Sequence, residues 1–137
     1  MAKDIYHNTV RTALEKDNWV ITQDPLRLTV GVRGVYVDLG AEKLIVAERK
    51  GRKIAVEIKS FLSPSPVKDL EAALGQYILY EDILARSQPE RTLYLAVHEE
   101  VYLDFFREEI VQLLLENGRM KIIVFDPIQE VITQWIE

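Results

Sequence analysis

The stretch from residue 44 to residue 61 constrains the fold of this chain more than any other part of it. Two segments rich in aliphatic residues, 44–48 and 53–61, flank the turn-forming Arg49-Lys50-Gly51-Arg52, a pattern typical of a β-hairpin. Side chains alternate between the two faces of a strand. The second segment therefore has an apolar face and a face that carries both an acid and a base: Ile54, Val56 and Ile58 against Ala55, Glu57 and Lys59.

The residues before this hairpin predict one helix and three strands. Apolar positions recur at helical spacing over residues 4–17, and Asn18 is a suitable residue to end that helix. Extended segments follow at 19–22, 26–32 and 35–39, and Asp24-Pro25 predicts a turn between the first two.

The residues after the hairpin predict a second helix, a buried strand, a third helix and a closing pair of strands. Ser65 is a favourable N-cap and Pro66 is tolerated at the first helical position, so a helix is expected from there to about residue 85. The remaining elements are expected at 92–97, 102–116, 121–125 and 131–135. The order predicts a single α/β domain over residues 1–137, with a mixed sheet flanked by helices.

Composition limits the chemistry of the chain. Hydrophobic residues make up 48% of its 137 positions and charged residues 28%, as in a globular domain. The absence of cysteine excludes disulfides, a thiolate nucleophile and a cysteine zinc site, and only two histidines are present. A bound metal would need oxygen ligands, which favours Mg²⁺ or Mn²⁺. No secretory leader or membrane-length apolar run is visible, so a cytoplasmic protein without membrane contact is expected.

The charge is distributed unevenly along the chain. Residues 1–68 carry 12 basic and 8 acidic side chains, whereas residues 69–137 carry 5 basic and 14 acidic ones. Such polarity is compatible with a basic face for nucleic acid and equally with docking of two unlike partners. The basic hairpin residues Arg49, Lys50, Arg52 and Lys53 are candidate phosphate contacts, and a solvated hairpin tip is the alternative.

Asp38 and Glu57 form the most specific candidate site. Burying the charge of Glu57 in an apolar strand is costly unless the carboxylate is paired or binds a metal. Asp38 lies nineteen residues earlier, at the end of a strand that a hairpin can bring alongside. Two carboxylates from adjacent strands would hold Mg²⁺ and leave room for water and a phosphate oxygen. Lys59 would orient the attacking water or offset charge on the phosphorane.

The Glu-x-Lys pattern has an alternative explanation and a second copy. Glu57 and Lys59 could simply pair on a half-exposed strand face, where such a pair is worth little. The other copy, Glu48-Arg49-Lys50, is rejected because its lysine belongs to the hairpin turn.

The helix after the hairpin adds two polar candidates. Gln76 and Tyr80 are four residues apart and so share a helical face. They could position DNA and water at a metal-bound phosphate. The alternative is that Tyr80 is an amphipathic core residue of a half-buried helix.

The acid-acid-lysine pattern followed by Gln76 and Tyr80 resembles the PD-(D/E)XK nuclease superfamily. Nearly the whole chain is also similar to the XisH family, the fdxN element excision controlling factors of cyanobacteria. The similar blocks are residues 2–4, 19–28, 38–45, 54–62, 73–76, 93–97 and 131–132.

The resemblance implies a restriction-endonuclease-like α-β-β-β-α-β core and a set of site residues. Asp38 and Glu57 would bind the metal with the carbonyl of Ile58 as a third ligand, and Lys59 would be the catalytic lysine. Gln76 would be catalytic too, and Tyr80 would contact nucleic acid.

Two positions depart from the superfamily pattern. Val37 replaces the usual proline. His7 stands where related nucleases often carry a metal-linked glutamate, so one ion is expected; His7 would contact a phosphate or be a surface residue.

The resemblance implies a Mg²⁺-dependent DNA phosphodiesterase site in a factor that controls excision of a DNA element. The expected partners are DNA, a small XisI-like protein and a candidate recombinase, and a homodimer is expected because cutting two strands takes two sites. Two alternatives stay open: a non-catalytic DNA-binding or adaptor subunit of a recombinase, and a nuclease-like member of a toxin or defence pair with XisI.

Overall fold

The computed structural model describes residues 4–26, 29–32, 35–38 and 44–137. Its helices and strands follow one another in the predicted order. The elements are α1 His7–Lys16, β1 Val20–Leu26, β2 Thr29–Val32, β3 Val35–Asp38, β4 Leu44–Arg49, β5 Arg52–Ile58, α2 Pro66–Ser87, β6 Arg91–His98, α3 Glu99–Val101, a π-helical turn Tyr102–Phe106, α4 Glu109–Glu116, β7 Ile122–Asp126 and β8 Val131–Ile136. The mixed α/β class with helices flanking a mixed sheet is confirmed.

Six strands form the main sheet, in the order β1-β4-β5-β6-β7-β8. The predicted hairpin is present, with β4 and β5 antiparallel and Ile45 opposite Val56. On its other side β5 pairs in parallel with β6, which places Glu57 opposite Leu95. Because β4 runs against β5, and β6 runs with it, the end of β5 lies beside the start of β4 and the end of β6.

The alternation predicted for β5 separates two cores. Ile54, Val56 and Ile58 are buried on one side of the sheet in a cluster that includes Val10 and Leu14 of α1. Ala55 belongs to the opposite cluster, which contains α2 and the π-helical turn. Glu57 shares the side of Ala55 by the same alternation, so it lies on the face that α2 covers.

The two long helices begin or end where their capping residues predict. Ser65 caps α2 by accepting a hydrogen bond from the Lys68 backbone N–H, and Pro66 is the first helical residue. After α1, Asn18 adopts a left-handed φ of 67°. The predicted start of α1 at residue 4 was wrong by three positions, and Ile5, one of the apolar residues in the predicted span, is 68% exposed.

The expected turn at Asp24-Pro25 is absent, and β1 continues through these residues to Leu26. Two irregularities accommodate them, at Ile21/Gln23 and at Gln23/Leu26 in the pairing with β4. Three residue steps on β1 thus oppose two on β4 at the second position, which is the arrangement of a β-bulge. Proline is tolerated here because β1 is an edge strand, where a missing N–H need not interrupt a ladder.

The helix predicted over residues 102–116 is interrupted. Tyr102–Phe106 forms a π-helical turn and α4 begins only at Glu109. The side-chain amide of Gln112 donates to the Phe106 carbonyl at 2.7 Å and so supplies a partner at the break.

The strand that carries Asp38 does not lie beside the strand that carries Glu57. β3 pairs antiparallel with β2 in a separate ribbon, whereas the sheet neighbours of β5 are β4 and β6. The prediction of two acids on adjacent strands was therefore wrong in this respect. Positions 27, 28 and 39 of the predicted strands 26–32 and 35–39 lie outside the described residues.

Within the described ranges, no helix has the length and apolar character needed to cross a bilayer.

Candidate functional site

Glu57 is the buried acid at the end of a central strand. It is the next-to-last residue of β5 and only 2% exposed, and both of its carboxylate oxygens are shielded from solvent. The predicted strand over residues 53–61 would have placed Glu57 in mid-strand, and this was wrong, because β5 ends at Ile58. A shielded carboxylate at a strand end is a chemically demanding feature, since removing a charge from water requires compensation.

Lys59 follows directly after β5. Its backbone N–H donates to the Ala96 carbonyl at 3.2 Å and extends the pairing with β6 by one residue. Its side chain is partly exposed, whereas the Ile58 side chain is buried in the opposite core. The segment thus presents a shielded acid and a partly accessible amine on one face.

Helix α2 covers the Glu57 face and brings Tyr77 close to it. Burial raises the pKa of the Tyr77 hydroxyl; a hydrogen bond from the Lys121 backbone acts in the opposite sense, and the charges of Glu81, Tyr94 and Glu57 raise the pKa further. Tyr77 is therefore protonated at neutral pH. No pattern in the sequence singled out Tyr77 for a role at this face.

Gln76 and Tyr80 lie on the same helix in different surroundings. Gln76 is partly buried and its side-chain oxygen is shielded from solvent. Tyr80 is 3% exposed and belongs to the core cluster beneath α2. Its burial favours the alternative prediction of a core residue over a direct contact with nucleic acid.

Asp38 belongs to a ribbon that is joined to this end of the sheet by a short stretch of chain. The β2-β3 ribbon is inserted between Leu26 and Leu44, which are register partners at the edge where β4 begins. Leu44 precedes Ile45, the partner of Val56, so the chain re-enters the sheet beside the end of β5. Asp38 lies six positions before Leu44, a separation of at most about 22 Å along an extended chain. The placement of the Asp38 side chain lies outside what the structure describes.

His7 is a buried residue, and the prediction of a surface position was wrong. It is 3% exposed, and its Nε2 lies 2.6 Å from Oδ1 of Asp24, whose Oδ2 accepts a hydrogen bond from Arg11 at 2.7 Å. Burial alone would raise the pKa of Asp24, but the Arg11 hydrogen bond and the charge and hydrogen bond of His7 together lower it. The cluster ties α1 to the bulged part of β1. A sequence signal existed, because His7 is in helical phase with Val10 and Leu14.

The basic hairpin lies at the opposite end of β5 from Glu57. Lys53 and Glu57 are four residues apart in the strand, or roughly 13 Å. Most of the basic hairpin side chains already have acidic neighbours: Arg49 lies 3.4 Å from Asp17, Arg52 lies 3.5 Å from Glu137 and Lys53 lies 3.9 Å from Glu48. Lys50 is exposed at the turn with a φ of 50°.

Aromatic residues also support the hairpin. The guanidinium carbons of Arg49 and Arg52 lie 6.0 and 5.8 Å from the centroid of the Trp19 ring. Burial, with the hydrogen bond to Glu137 and its charge, raises the pKa of Tyr94 to about 12, and the protonated hydroxyl accepts a bond from Arg52 at 3.1 Å. These contacts order the hairpin side chains without need of a ligand.

In the part of the chain that the structure describes, no three His, Cys, Asp or Glu side chains cluster as metal ligands. The described donors at the end of β5 are the Glu57 carboxylate and the backbone carbonyl of Ile58. The shared ion of Asp38 and Glu57 therefore stays a prediction.

A family model and two crystal structures connect the chain to known proteins. A family model described as XisH protein matches residues 1–133. The crystal structure of an XisH family protein from Nostoc punctiforme PCC 73102 is 47% identical, with a TM-score of 0.87, covering 98% of this chain and 100% of that one. The crystal structure of a fdxN element excision controlling factor protein from Anabaena variabilis is 46% identical, with the same TM-score and the same coverage. No curated protein matches the chain. The length of the family match and the identity to both crystal structures show that the chain belongs to the XisH family.

Proposed function

We propose that this chain is an excision controlling factor that carries a Mg²⁺-dependent DNA phosphodiesterase site on a restriction-endonuclease-like core. The excision role is supported by the similarity to the Anabaena variabilis protein, which is described as a fdxN element excision controlling factor. The phosphodiesterase site is supported above all by the burial of Glu57 at the end of β5.

The donor chemistry at the end of β5 fits a hard divalent cation. Mg²⁺ is usually held by one or two carboxylates and keeps several waters and phosphate oxygens. Glu57 and the Ile58 carbonyl would be two protein ligands, and Asp38 would add the second carboxylate. When bound, the ion would polarise the phosphate and lower the pKa of an attacking water.

Side chains near the ion would then orient the attacking water and the phosphate. Lys59, partly exposed beside the buried acid, would hold the attacking water or offset charge on the transferred phosphate. Gln76 on α2 would position the water or the phosphate. Tyr80 would act only indirectly, by packing α2 against the sheet.

A cleavage assay with two site substitutions and one control substitution tests this function. The protein is incubated with supercoiled, linear and branched DNA and Mg²⁺ or Mn²⁺, beside Asp38→Ala and Glu57→Ala. Glu48→Ala is the matched control, because Glu48 begins the other Glu-x-Lys sequence on the same hairpin. We expect cleavage by the wild type and the control and its loss in both site variants. Cleavage that persists in both site variants would indicate a contaminating nuclease and refute the proposal.

A second candidate function is regulation of a recombinase through protein contacts. It is favoured by the charge of the second half of the chain, where α2 and the following helices expose many acids: Glu71, Glu81, Asp82, Glu100, Asp104, Glu108, Glu109 and Glu116. Such a surface suits a basic partner such as a recombinase or an XisI-like protein, in an excision or a defence pair. Partner capture that survives Asp38→Ala and does not need metal would support this function.

A further inference from the structure

The chain that leaves β5 is held by three contacts to β6 and the helices that follow it. The backbone N–H of Lys59 donates to Ala96, and the Ser60 carbonyl accepts a hydrogen bond from Nε2 of His98 at 3.0 Å. Phe61 has a left-handed φ of 55° and packs edge-on against Phe106, with ring centroids 5.3 Å apart. A bulky residue at positive φ is strained and persists only when its surroundings enforce it.

His98 is placed to serve two backbone groups at once. It is the N-cap of α3, where its Nδ1 accepts a hydrogen bond from the Val101 N–H at 3.4 Å. A nitrogen that accepts from an N–H carries no proton, so the ring proton is on Nε2 and is donated to Ser60. The ring is 6% exposed and its centroid lies 5.2 Å from that of Tyr6.

The hydrogen bond from His98 to Ser60 lies beyond the last backbone hydrogen bond between β5 and β6. β5 ends at Ile58, and the backbone hydrogen bonding to β6 reaches one residue further, to Lys59. Ser60 is thus the first residue whose carbonyl is fixed by a side chain of β6. The side chains of Glu57 and Lys59 depend on this stretch of backbone, because a shift at Ser60 would also move Lys59.

We propose that His98 is a positioning residue that fixes the backbone after β5 and thereby orients Glu57 and Lys59. The consequence for DNA cleavage rests on the proposed function, whereas the effect on the backbone does not. His98 acts through Ser60 and touches neither metal nor DNA in this role.

Two substitutions separate the two hydrogen bonds of His98. His98→Asn keeps an acceptor for the Val101 N–H, since asparagine is a favoured N-cap, but its side chain is too short to reach Ser60. His98→Gln is long enough to place an amide N–H near the position of Nε2. Tyr102→Phe is a neighbouring control that leaves both bonds intact.

Hydrogen exchange of the backbone amides measures the effect without any ligand. We expect exchange of the Lys59 amide, which donates to Ala96, to be about tenfold faster in His98→Asn, the ratio that one hydrogen bond of ordinary net strength supports. His98→Gln should restore slow exchange, and ¹⁵N shifts of wild-type His98 should show the proton on Nε2. Equal exchange in His98→Asn and the wild type overturns the proposal. So does an equal loss of protection in both variants, because packing of the ring alone would explain it.

Activity and metal affinity then test the link to the site. In DNA cleavage His98→Asn should lower kcat at least about tenfold with little change in KM, and His98→Gln should stay within about threefold of the wild type. Mn²⁺ affinity, followed by electron paramagnetic resonance, should fall in His98→Asn alone. If the wild type neither binds Mn²⁺ nor cuts DNA, the proposed function fails, and the exchange result still decides whether His98 holds the backbone. If the wild type does both and His98→Asn matches it, the positioning role is refuted.

Discussion

The hydroxyl of Tyr77 donates to the backbone carbonyl of Leu93 at 2.8 Å. The same oxygen accepts a hydrogen bond from the Lys121 N–H at 3.0 Å. One phenol on α2 therefore joins the start of β6 to the residue before β7. Because Tyr77 lies between Gln76 and Tyr80 on one helix, this anchor also sets the rotation of the helix that covers Glu57.

Tyr77→Phe should lower the free energy of unfolding by about 1–3 kcal/mol, since it leaves a buried carbonyl and an N–H without their partner. The measurement is urea denaturation followed by circular dichroism. Tyr102→Phe is the control: its hydroxyl has no hydrogen bond among the described residues, and its ring contact with Phe106 is kept. A Tyr77→Phe variant as stable as this control would show that the hydroxyl contributes nothing.

Asp24→Asn should destabilise the protein by about 2 kcal/mol at neutral pH, because Asp24 accepts charge-assisted hydrogen bonds in a site where its side chain is 7% exposed. The pKa of Asp24 is lowered on folding. Its contribution is therefore complete above the ordinary carboxyl pKa of 3.8 and is lost as the pH falls through the lower folded value.

Urea titrations at pH 7 and at pH 3 measure the free energy of unfolding of the wild type and of Asp24→Asn. The difference between the two proteins should be smaller at pH 3. Asp17→Asn is the control, because Asp17 pairs with Arg49 at the surface, where such pairs are worth about 0–1 kcal/mol. A gap between wild type and Asp24→Asn that is the same at both pH values would contradict the assignment.

Lys50 is the hairpin cation most available to DNA, because the structure pairs Arg49, Arg52 and Lys53 with acids. Lys50→Asn removes its charge and keeps a residue that tolerates a left-handed backbone. We expect the slope of log Kd against log salt concentration for DNA to fall by about 0.9, the value for one phosphate contact. Arg52→Gln should change this slope less, because Arg52 is paired with Glu137. A slope that does not move when all four basic residues are neutralised would exclude the hairpin from the interface.

Features that depend on neighbouring residues were predictable from the sequence. The N-cap at Ser65, the left-handed residue Asn18 and the alternation of β5 each follow from the chemistry of a few adjacent positions. These features were sufficient to predict the mixed sheet and the side of the sheet on which Glu57 lies.

Features that depend on distant residues were not predictable in the same way. The bulged course of β1 through Pro25 requires its edge position in the sheet, and the burial of His7 requires Asp24, seventeen residues away. β5 ends early, at Ile58, and three residues later Phe61 has a left-handed φ and packs against Phe105 and Phe106, which are more than forty residues away in sequence. The pairing of β3 with β2 in a separate ribbon also could not be predicted from the spacing between Asp38 and Glu57.

Glu57→Gln should abolish the response of the protein to divalent cations while keeping the size of the side chain. A ligand that binds only the folded state stabilises it by an amount that grows with concentration, about 2.7 kcal/mol at one hundred times its Kd. Mg²⁺ or Mn²⁺ should therefore raise the Tm of the wild type in a concentration-dependent way and leave that of Glu57→Gln unchanged. Glu48→Gln, which alters a partly exposed acid that lies near Lys53 and Arg91, should keep the full response. The same rise in Tm for Glu57→Gln would place the cation elsewhere, and the burial of Glu57 would then need an explanation within the protein alone.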